Sequence, residues 1–331
     1  MSLSQFTKYT SSDASGPGPI TGQVGKLITV LDACLVNGYT GKAAAGWTKP
    51  YANTSNTACY KQGAGSGFGF AVNDDGYTVA NEFYGAGFQT LTGVNTGTGG
   101  FPGSSSGVVA NFIVGRKSAS ADSTPRNWVL FADASTFYLL ILTGDTAGKY
   151  YDFSFGDFYS LNNGGDSHNA FICGRMTANS SSTGSQSSAT QYGSLDYTYS
   201  PRDEGVLGSA AIVGWWIANN VAGTSGPLGN YYRFGDTAKS ITPYALYGSL
   251  PTPNSYDSSY YLSPIFVMDS SGAVRGFLRG FYHVCHAVSG FTDGQTFSGA
   301  NDFAGKSFEL HLTAENGGMF CFETSATVNT N

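Results

Sequence analysis

Charged side chains are scarce in this chain: lysine, arginine, aspartate and glutamate make up 11% of its 331 residues, against about a quarter in an ordinary soluble domain. Long apolar runs are also missing, since none approaches the roughly 20 residues that a membrane helix needs. The net charge of −6 offers no basic surface to nucleic acid. We therefore expect neither membrane insertion nor nucleic-acid binding.

Paired cysteine motifs and an export signal are missing as well. No CxxC pair occurs, and the cysteines are odd in number: Cys34, Cys59, Cys173, Cys285 and Cys321. This argues against a disulfide framework and favours buried free thiols. The first 19 residues have no apolar signal-peptide core, so we expect synthesis in a cytoplasm without secretory export.

What the chain does have is aromatic and small residues: 21 tyrosines, 23 phenylalanines and 46 glycines. So much apolar area argues against general disorder. The remaining surface must be neutral and polar, and it lacks the charge that keeps free monomers apart. Such a composition is typical of proteins that work inside an assembly.

The segment 126–145 is predicted to form the central hairpin of a β-sheet core. Two runs of strand-forming residues, Trp128–Ala132 and 137–143, flank a short polar segment at 133–136. Both runs are almost continuously apolar, which indicates that both of their faces are covered by protein.

Three more hairpins are predicted. The first joins 68–72 to 77–79 through a turn at 73–76, and the second joins Leu262–Met268 to 273–282. In the last, residues 308–313 alternate between apolar and polar and return as Met319–Glu323, which predicts one buried and one wet face.

One helix is predicted at 21–37, with an apolar stripe of residues three and four apart. Thr21 is the expected N-cap, and Asn37 with Gly38 the left-handed exit. Together with the hairpins, this predicts a mainly β fold: an antiparallel β-sandwich or barrel-like body with one N-terminal α-helix.

The composition divides the chain into an extended arm at 1–20, a β-rich lobe with the helix at 21–176, a low-complexity linker at 177–205 and a second β-rich lobe at 206–331 packed on the first. The arm is either a flexible tail or a segment laid on a neighbouring subunit. The structural core is predicted from the largest apolar residues of the strands: Trp47, Trp128, Leu130, Phe137, Leu139, Phe158, Phe266, Leu310 and Phe322.

No motif carries convincing chemistry, so we expect a non-enzyme without cofactor or metal. The glycine-rich segment 63–69 lacks the Gly-Lys-Ser/Thr of a phosphate loop, and the G-x-S-x-G at 103–107 precedes a strand-like run instead of a helix. His283, Cys285 and His286 lie close in sequence, but in a strand only two of the three share a face. Asp152 and Asp157 are the one acid pair considered for glycoside hydrolysis.

Several stretches resemble a family of tailed-bacteriophage and prophage virion proteins whose members mostly lack an assigned activity. They cover about half of the chain: 31–39 with 42–47, 126–133 with 137–139 and 155–159, and 261–267 with 275–280 and 323–325. The resemblance implies a particle component, on the tail or its appendages, and transfers no catalytic residue.

From these observations we expect a virion structural protein that self-assembles into a symmetric complex in the bacterial host. Its partners would be copies of itself and other virion proteins. One alternative is a host-surface glycan-binding module, because exposed rings beside Asp, Asn and Gly stack on sugars. A capsid decoration protein is another. A polysaccharide-degrading enzyme that uses Asp152 and Asp157 is a third.

Overall fold

The computed structural model describes residues 6–53, 56–76, 79–101, 111–144, 150–162, 165–173, 176–179, 215–217, 255–260, 262–268, 274–284, 291–312 and 319–324. Within them the fold is mainly β, with three antiparallel sheets and a single short α-helix. The predicted fold class is confirmed. No helix in these ranges is long and apolar enough to cross a membrane.

The strands follow one another along the chain in this order: β1 (Thr7–Thr10), β2 (Thr48–Ala52), β3 (Thr57–Lys61), β4 (Gly69–Asn73), β5 (Glu82–Gly93), β6 (Thr96–Phe101), β7 (Asn111–Arg116), β8 (Trp128–Ala132), β9 (Thr136–Ile141), β10 (Tyr151–Asp157), β11 (Tyr159–Ser160), β12 (Ala170–Cys173), β13 (Met176–Asn179), β14 (Trp215–Ile217), β15 (Leu262–Met268), β16 (Val274–Val284), β17 (Thr296–Ser298), β18 (Ser307–Leu312) and β19 (Met319–Glu323). Helix α1 spans Lys26–Leu31 and continues as a π-helical segment, Asp32–Asn37. A 3₁₀ turn covers Asn301–Phe303.

The three sheets form layers. The central sheet has the order β1-β8-β9-β10-β12-β14. Outer sheet 1 has the order β13-β7-β5-β4-β3-β2, with β6 added to β5, and outer sheet 2 has the order β11-β16-β19-β18-β17, with β15 added to β16. The central sheet packs against outer sheet 1 through one face and against outer sheet 2 through the other.

The central hairpin lies where the sequence predicts it. Trp128 pairs with Ile141 and Ala132 with Phe137 across β8 and β9. Alternate residues enter different cores: the Phe137 ring lies 5.4 Å from that of Phe70 in outer sheet 1, while Phe131 stacks at 4.4 Å on Phe322 in outer sheet 2. Both faces are therefore covered, which explains why neither strand alternates with polar residues.

The predicted core residues are buried where the structure describes them. Trp47, Trp128, Leu130, Phe137 and Leu139 lie in the core between the central sheet and outer sheet 1. Phe158 and Phe322 lie in the core on the opposite face of the central sheet. Leu310 lies in a third cluster of outer sheet 2, and the side chain of Phe266 falls outside the described residues.

The helix is shorter than predicted and starts later. It begins after Gly25, whose φ is +80°, and Thr21 does not cap it, because Thr21 Oγ1 accepts only the amide of Gln23. The amides of Leu27 and Ile28, in the first turn of the helix, donate instead to Asp74 Oδ2, at 2.7 and 3.4 Å. At the other end Gly38 has φ +68°, the positive φ expected of the exit.

Two of the other three predicted hairpins form as expected: β15 pairs with β16 and β18 pairs with β19, both antiparallel. In the hairpin after β4, the return strand β5 begins at Glu82. Val79 precedes that strand, against the prediction, and residues 77–78 lie outside the described residues. The described residues on either side of 77–78 make buried contacts: Asn81 Nδ2 donates to the Ser118 carbonyl, and Asp74 Oδ2 accepts the Leu27 amide of the helix.

The prediction of a wet face on β18 is also wrong. Glu309 and His311, the polar residues of the alternation, are 3% and 1% exposed. They face the central sheet, where the His311 ring lies 5.8 Å from that of Phe131. The apolar residues Phe308 and Leu310 pack on the other side of outer sheet 2. Polar residues are tolerated inside because they pair with other charged groups.

The N-terminal segment lies on this chain's own body within the described part. Strand β1 pairs with β8, and Ile20 forms a bridge with Arg126. Phe6, Tyr9 and Ile20 are buried. Residues 6–20 are therefore not a free tail. The division into lobes at 21–176, 177–205 and 206–331 stays a prediction; the pairs β12–β14 and β11–β16 join strands from either side of the proposed linker.

Candidate functional site

The glycine-rich segment after β3 wraps around a carboxylate of the chain itself. The amide of Ser66 donates to Asp157 Oδ2 at 2.6 Å, and Ser66 Oγ lies 2.8 Å from Asp157 Oδ1. Gly65, with φ +74°, packs so closely on this carboxylate that a Cβ would collide with it. The Ser66 amide, which a phosphate loop would use to bind phosphate, thus donates to the Asp157 carboxylate instead.

Gln62 completes the surroundings of Asp157. Its Nε2 donates to Asp157 Oδ1 at 2.8 Å and to the Ser135 carbonyl at 2.6 Å, and its Oε1 accepts the amide of Phe68 at 2.8 Å. Burial raises the pKa of Asp157, and the donors from Gln62 and Ser66 offset part of that rise. The carboxyl is thus held by hydrogen bonds in a site without water access.

Asp133, which closes the central hairpin, is a second centre of hydrogen bonds. Its Oδ1 accepts the amides of Ser135 and Thr136, both at 2.8 Å, which fixes the turn. Its carbonyl accepts Trp47 Nε1 at 2.7 Å. Its Oδ2 lies 2.8 Å from an Arg279 guanidinium nitrogen of outer sheet 2.

Arg279 connects this turn to outer sheet 2. Its second guanidinium nitrogen contacts Ser135 Oγ, and its carbonyl accepts the Tyr138 hydroxyl at 3.1 Å. The guanidinium carbon lies 6.0 Å from the Phe6 ring centroid, on the N-terminal segment. We call the set Gln62, Ser66, Asp133, Ser135, Asp157 and Arg279 the corner network; it ties outer sheet 1, the central sheet and outer sheet 2 together.

Three of the stretches that carry the virion-protein resemblance meet in the corner network: 126–133 supplies Asp133, 155–159 supplies Asp157, and 275–280 supplies Arg279. Sequence reasoning missed this convergence. The signal in the sequence is an ionisable residue at the end of each of two apolar strands, Asp133 after β8 and Asp157 in β10, and another inside a third, Arg279 in β16. The partners are up to 146 residues apart, so the pairing itself could not be read.

The acid pair considered for glycoside hydrolysis does not form a catalytic pair. Asp157 faces outer sheet 1, as Phe153 and Phe155 of the same strand do. Asp152 faces the other side of the central sheet, where Cys173 Sγ donates to it at 3.0 Å. Two carboxylates on opposite faces of one sheet cannot flank the same glycosidic bond. The hypothesis of hydrolysis by this pair is wrong.

A serine and a histidine do approach each other in one surface loop. Ser167 Oγ lies 3.1 Å from Nδ1 of the adjacent His168. The neighbouring Asp166 does not orient the imidazole, since its carboxylate pairs with Arg275 at 2.8 Å and accepts the Ser160 hydroxyl at 3.0 Å. A catalytic triad requires an acid on the other imidazole nitrogen, and this loop does not supply it.

A second polar chain crosses the space between the central sheet and outer sheet 2. Lys8 Nζ lies 2.6 Å from Glu309, whose Oε1 is 2.9 Å from His311 Nε2. His311 Nδ1 lies 3.4 Å from Asp293 Oδ1, an ion-pair distance beyond a normal hydrogen bond. Asp293 also accepts the Tyr150 hydroxyl at 2.9 Å.

The ionisable groups of this polar chain shift one another's pKa values. Burial alone would lower the pKa of His311, but Asp293 and Glu309 raise it above its ordinary value. Burial would raise the pKa of Glu309, and His311 and Lys8 lower it below its ordinary value. Basic and acidic side chains thus alternate along the polar chain, and the Lys8–Glu309 pair connects β1 to β18.

Other positions singled out in the sequence lie mostly outside the described residues. These are the G-x-S-x-G at 103–107, Cys285, His286 and the side chain of His283. Cys34, Cys59, Cys173 and Cys321 are buried free thiols. Where side chains are described, no group of three or more His, Cys, Asp or Glu is arranged to hold a metal ion.

A small exposed apolar surface lies where the chain passes from the central sheet to outer sheet 2. The rings of Tyr159 and Phe277 lie 4.8 Å apart across β11 and β16 and are half-buried. Beside them, Leu161 is 49% and Val274 43% exposed. We call Tyr159, Leu161, Val274 and Phe277 the corner patch.

Comparison with protein-family models and with curated proteins found no match for this chain.

Proposed function

We propose that this chain is a structural subunit of a tailed-bacteriophage virion, on the tail or its appendages, that acts by self-assembly into a symmetric complex and not as an enzyme. In this proposal the corner network is a clamp that makes the three sheets one body. The outer surface of that body then contacts neighbouring copies and other virion proteins.

The observation that carries the proposal is the burial of many charged side chains. A chain with few charged residues turns many of them inward: Asp74, Glu82, Lys117, Asp133, Asp152, Asp157, Arg275, Lys306 and Glu309 are all buried. The described part of the chain therefore exposes fewer charged side chains than its composition indicates. Net repulsion between free copies is weak on such a surface, which suits a subunit that is permanently covered.

Two sheet edges, β1 of the central sheet and β2 of outer sheet 1, favour contact through faces and loops instead of strand addition. The outward carbonyl of Lys8 in β1 accepts Lys42 Nζ at 2.6 Å, and the outward amide of Thr10 donates to Asp13 at 3.0 Å. At the edge of outer sheet 1, β2 contains Lys49 and Pro50. Occupied outward backbone groups on β1, and a lysine and a proline on β2, prevent uncontrolled pairing of these edges with other strands. The corner patch is an apolar surface of the kind that remains for a subunit contact.

The test is to look for the chain in intact particles. Particles purified from the producing bacterium are digested and analysed by mass spectrometry, and the density of the chain is located in a cryo-EM map. The proposal expects the chain at a fixed copy number with its surface in contact with neighbouring subunits. Particles that lack the chain would overturn it.

A second candidate, a host-glycan-binding module of the virion, is favoured by one observation. Tyr256 is 98% exposed, next to Asp257, whose carboxylate accepts the Ser259 amide at 2.9 Å and so shapes the turn. An exposed ring beside polar groups suits stacking on a sugar. A glycan array with the wild-type chain and Tyr256→Ala tests it: binding lost in the variant would support this function, and no binding by either would reject it.

A further inference from the structure

Lys117 and Asp74 meet inside the molecule under unusual conditions for a lysine and an acid. Lys117 follows β7 and Asp74 follows β4, and the Lys117 Nζ contacts Asp74 Oδ1. Both side chains are 0% exposed. Other lysine–acid pairs of the described residues retain some contact with solvent: Lys8 is 36% exposed beside Glu309, and Lys306 and Glu323 are 5% and 10% exposed.

The burial of this pair favours its uncharged forms. Burial raises the pKa of Asp74 to about 6, with Lys117 and the amides of Leu27 and Ile28 opposing the rise. Burial also lowers the pKa of Lys117. Amide formation uses the uncharged amine as nucleophile and the uncharged carboxyl as electrophile, and burial shifts both groups in that direction.

The neighbouring groups hold both side chains in place. Asp74 Oδ2 accepts the amides of Leu27 at 2.7 Å and Ile28 at 3.4 Å, and donors at this position stabilise the negative charge that develops on a carboxyl oxygen when an amine adds to its carbon. The Gln23 carbonyl accepts Lys117 Nζ at 2.8 Å, which fixes the direction of the amine. Exclusion of water protects an amide, once formed, from hydrolysis.

We propose that Lys117 and Asp74 form an intramolecular amide cross-link. The Lys117 nitrogen adds to Asp74 Cγ, the bond from Cγ to the hydroxyl oxygen breaks, and this oxygen leaves as water with one hydrogen from the amine. One N–C bond forms, one C–O bond breaks and one water molecule is released, so no oxidant or co-reactant is required. The remaining oxygen stays on the amides of Leu27 and Ile28.

The cross-link would join three elements: the connection after β4, the end of β7 and, through Asp74, the start of α1. It would close a covalent loop from residue 74 to residue 117, which restricts the unfolded chain in the way a disulfide does. A covalent staple of this kind does not depend on oxidation, and it does not depend on the virion role proposed above.

The test is the intact mass of the full chain under denaturing conditions, where only covalent links survive. We expect a mass lower than the sequence mass by one water, about 18 Da, after allowance for removal of the initiator methionine. A tryptic digest should then contain one branched peptide in which residues 62–116, with Asp74, are joined to residues 117–126 through Lys117. Cleavage after Lys117 should be lost.

Lys117→Arg is the matched variant, since it keeps the positive charge and lacks the reactive amine; it should restore the full sequence mass. The Lys306–Glu323 pair is the internal control. Trypsin should cleave after Lys306, and the peptides that contain Lys306 and Glu323 should appear as two separate linear products. The wild-type mass decides the matter even if the variant fails to fold. A wild-type chain at full sequence mass, with linear peptides from both sites, would overturn the proposal.

Discussion

Single side chains in this protein act across long distances in the sequence. Trp128 shares the core with residues of outer sheet 1, and its Nε1 donates to the Gly18 carbonyl at 2.8 Å. His311 touches rings of the central sheet and two acids. Trp128 was readable from the sequence as a core residue because its neighbours are apolar. The alternation of β18 predicts a wet face for His311, and its burial depends instead on Glu309, whose partner Lys8 lies 301 residues away in the sequence.

Trp128→Ala tests the placement of the central hairpin. The substitution removes a ring that is fully buried, and we expect it to lower the free energy of unfolding by about 3–5 kcal/mol, measured by urea denaturation. Val79→Ala, at an exposed position, is the control and should change little. A Trp128→Ala protein that unfolds like the parent would show that the hairpin is not in the core.

The polar chain through His311 predicts a dependence on pH. Because the folded pKa of His311 is raised, its stabilising contribution is fully present below the unfolded value of about 6.5 and is lost as the pH rises through the folded pKa. The stability advantage of the wild type over His311→Gln should therefore shrink from pH 6 to pH 9, as followed by urea midpoints. An advantage that stays constant or grows over this interval would contradict the account.

The elements of the fold divide into those that local sequence determines and those that distant contacts determine. The strands β8, β9, β15, β18 and β19 follow from runs of aromatic and β-branched residues beside turn residues. The start of α1 does not, because its cap is Asp74, 47 residues away from Leu27. The corner network could not be read for the same reason: its members lie on different sheets and only the fold brings them together.

Asp133→Ala tests the corner network as a clamp between sheets. The substitution removes the turn acceptor for Ser135 and Thr136 and the carboxylate partner of Arg279. We expect it to lower the free energy of unfolding by about 3 kcal/mol or more, measured by urea denaturation. Asp257→Ala, at an exposed turn, is the control. In a double-mutant cycle with Arg279→Met the combined loss should be smaller than the sum of the single losses; strict additivity would show that the two residues do not interact.

Gly38→Val tests the exit of the helical segment. Gly38 and Gly41 have φ of +68° and +85°, and a β-branched residue at such a φ costs about 1–3 kcal/mol. At Gly38 a Cβ would also approach the Ala44 amide to 2.8 Å, whereas at Gly41 it meets nothing within 4 Å. By urea denaturation Gly38→Val should be less stable than Gly41→Val, and equal stabilities would argue against the packed exit.

At the scale of the whole molecule, three layers of sheet bury many aromatic rings of the described residues, and ion pairs such as Arg279–Asp133 join the layers from inside. The prediction of a sandwich-like β body was available from the sequence. The third layer was not, although the unbroken apolar strands of the central hairpin already required cover on both faces. In the described residues many of the few charged side chains are buried between these layers, and this is the physical basis for the proposed role in an assembly.

The most direct measurement of that claim is the molar mass of the purified chain in solution at rising concentration, by light scattering after size exclusion and by sedimentation velocity. The account predicts discrete oligomers in the micromolar range, which dissociate on Leu161→Lys or Val274→Glu in the corner patch without loss of thermal stability. A chain that stays monomeric up to hundreds of micromolar would contradict it.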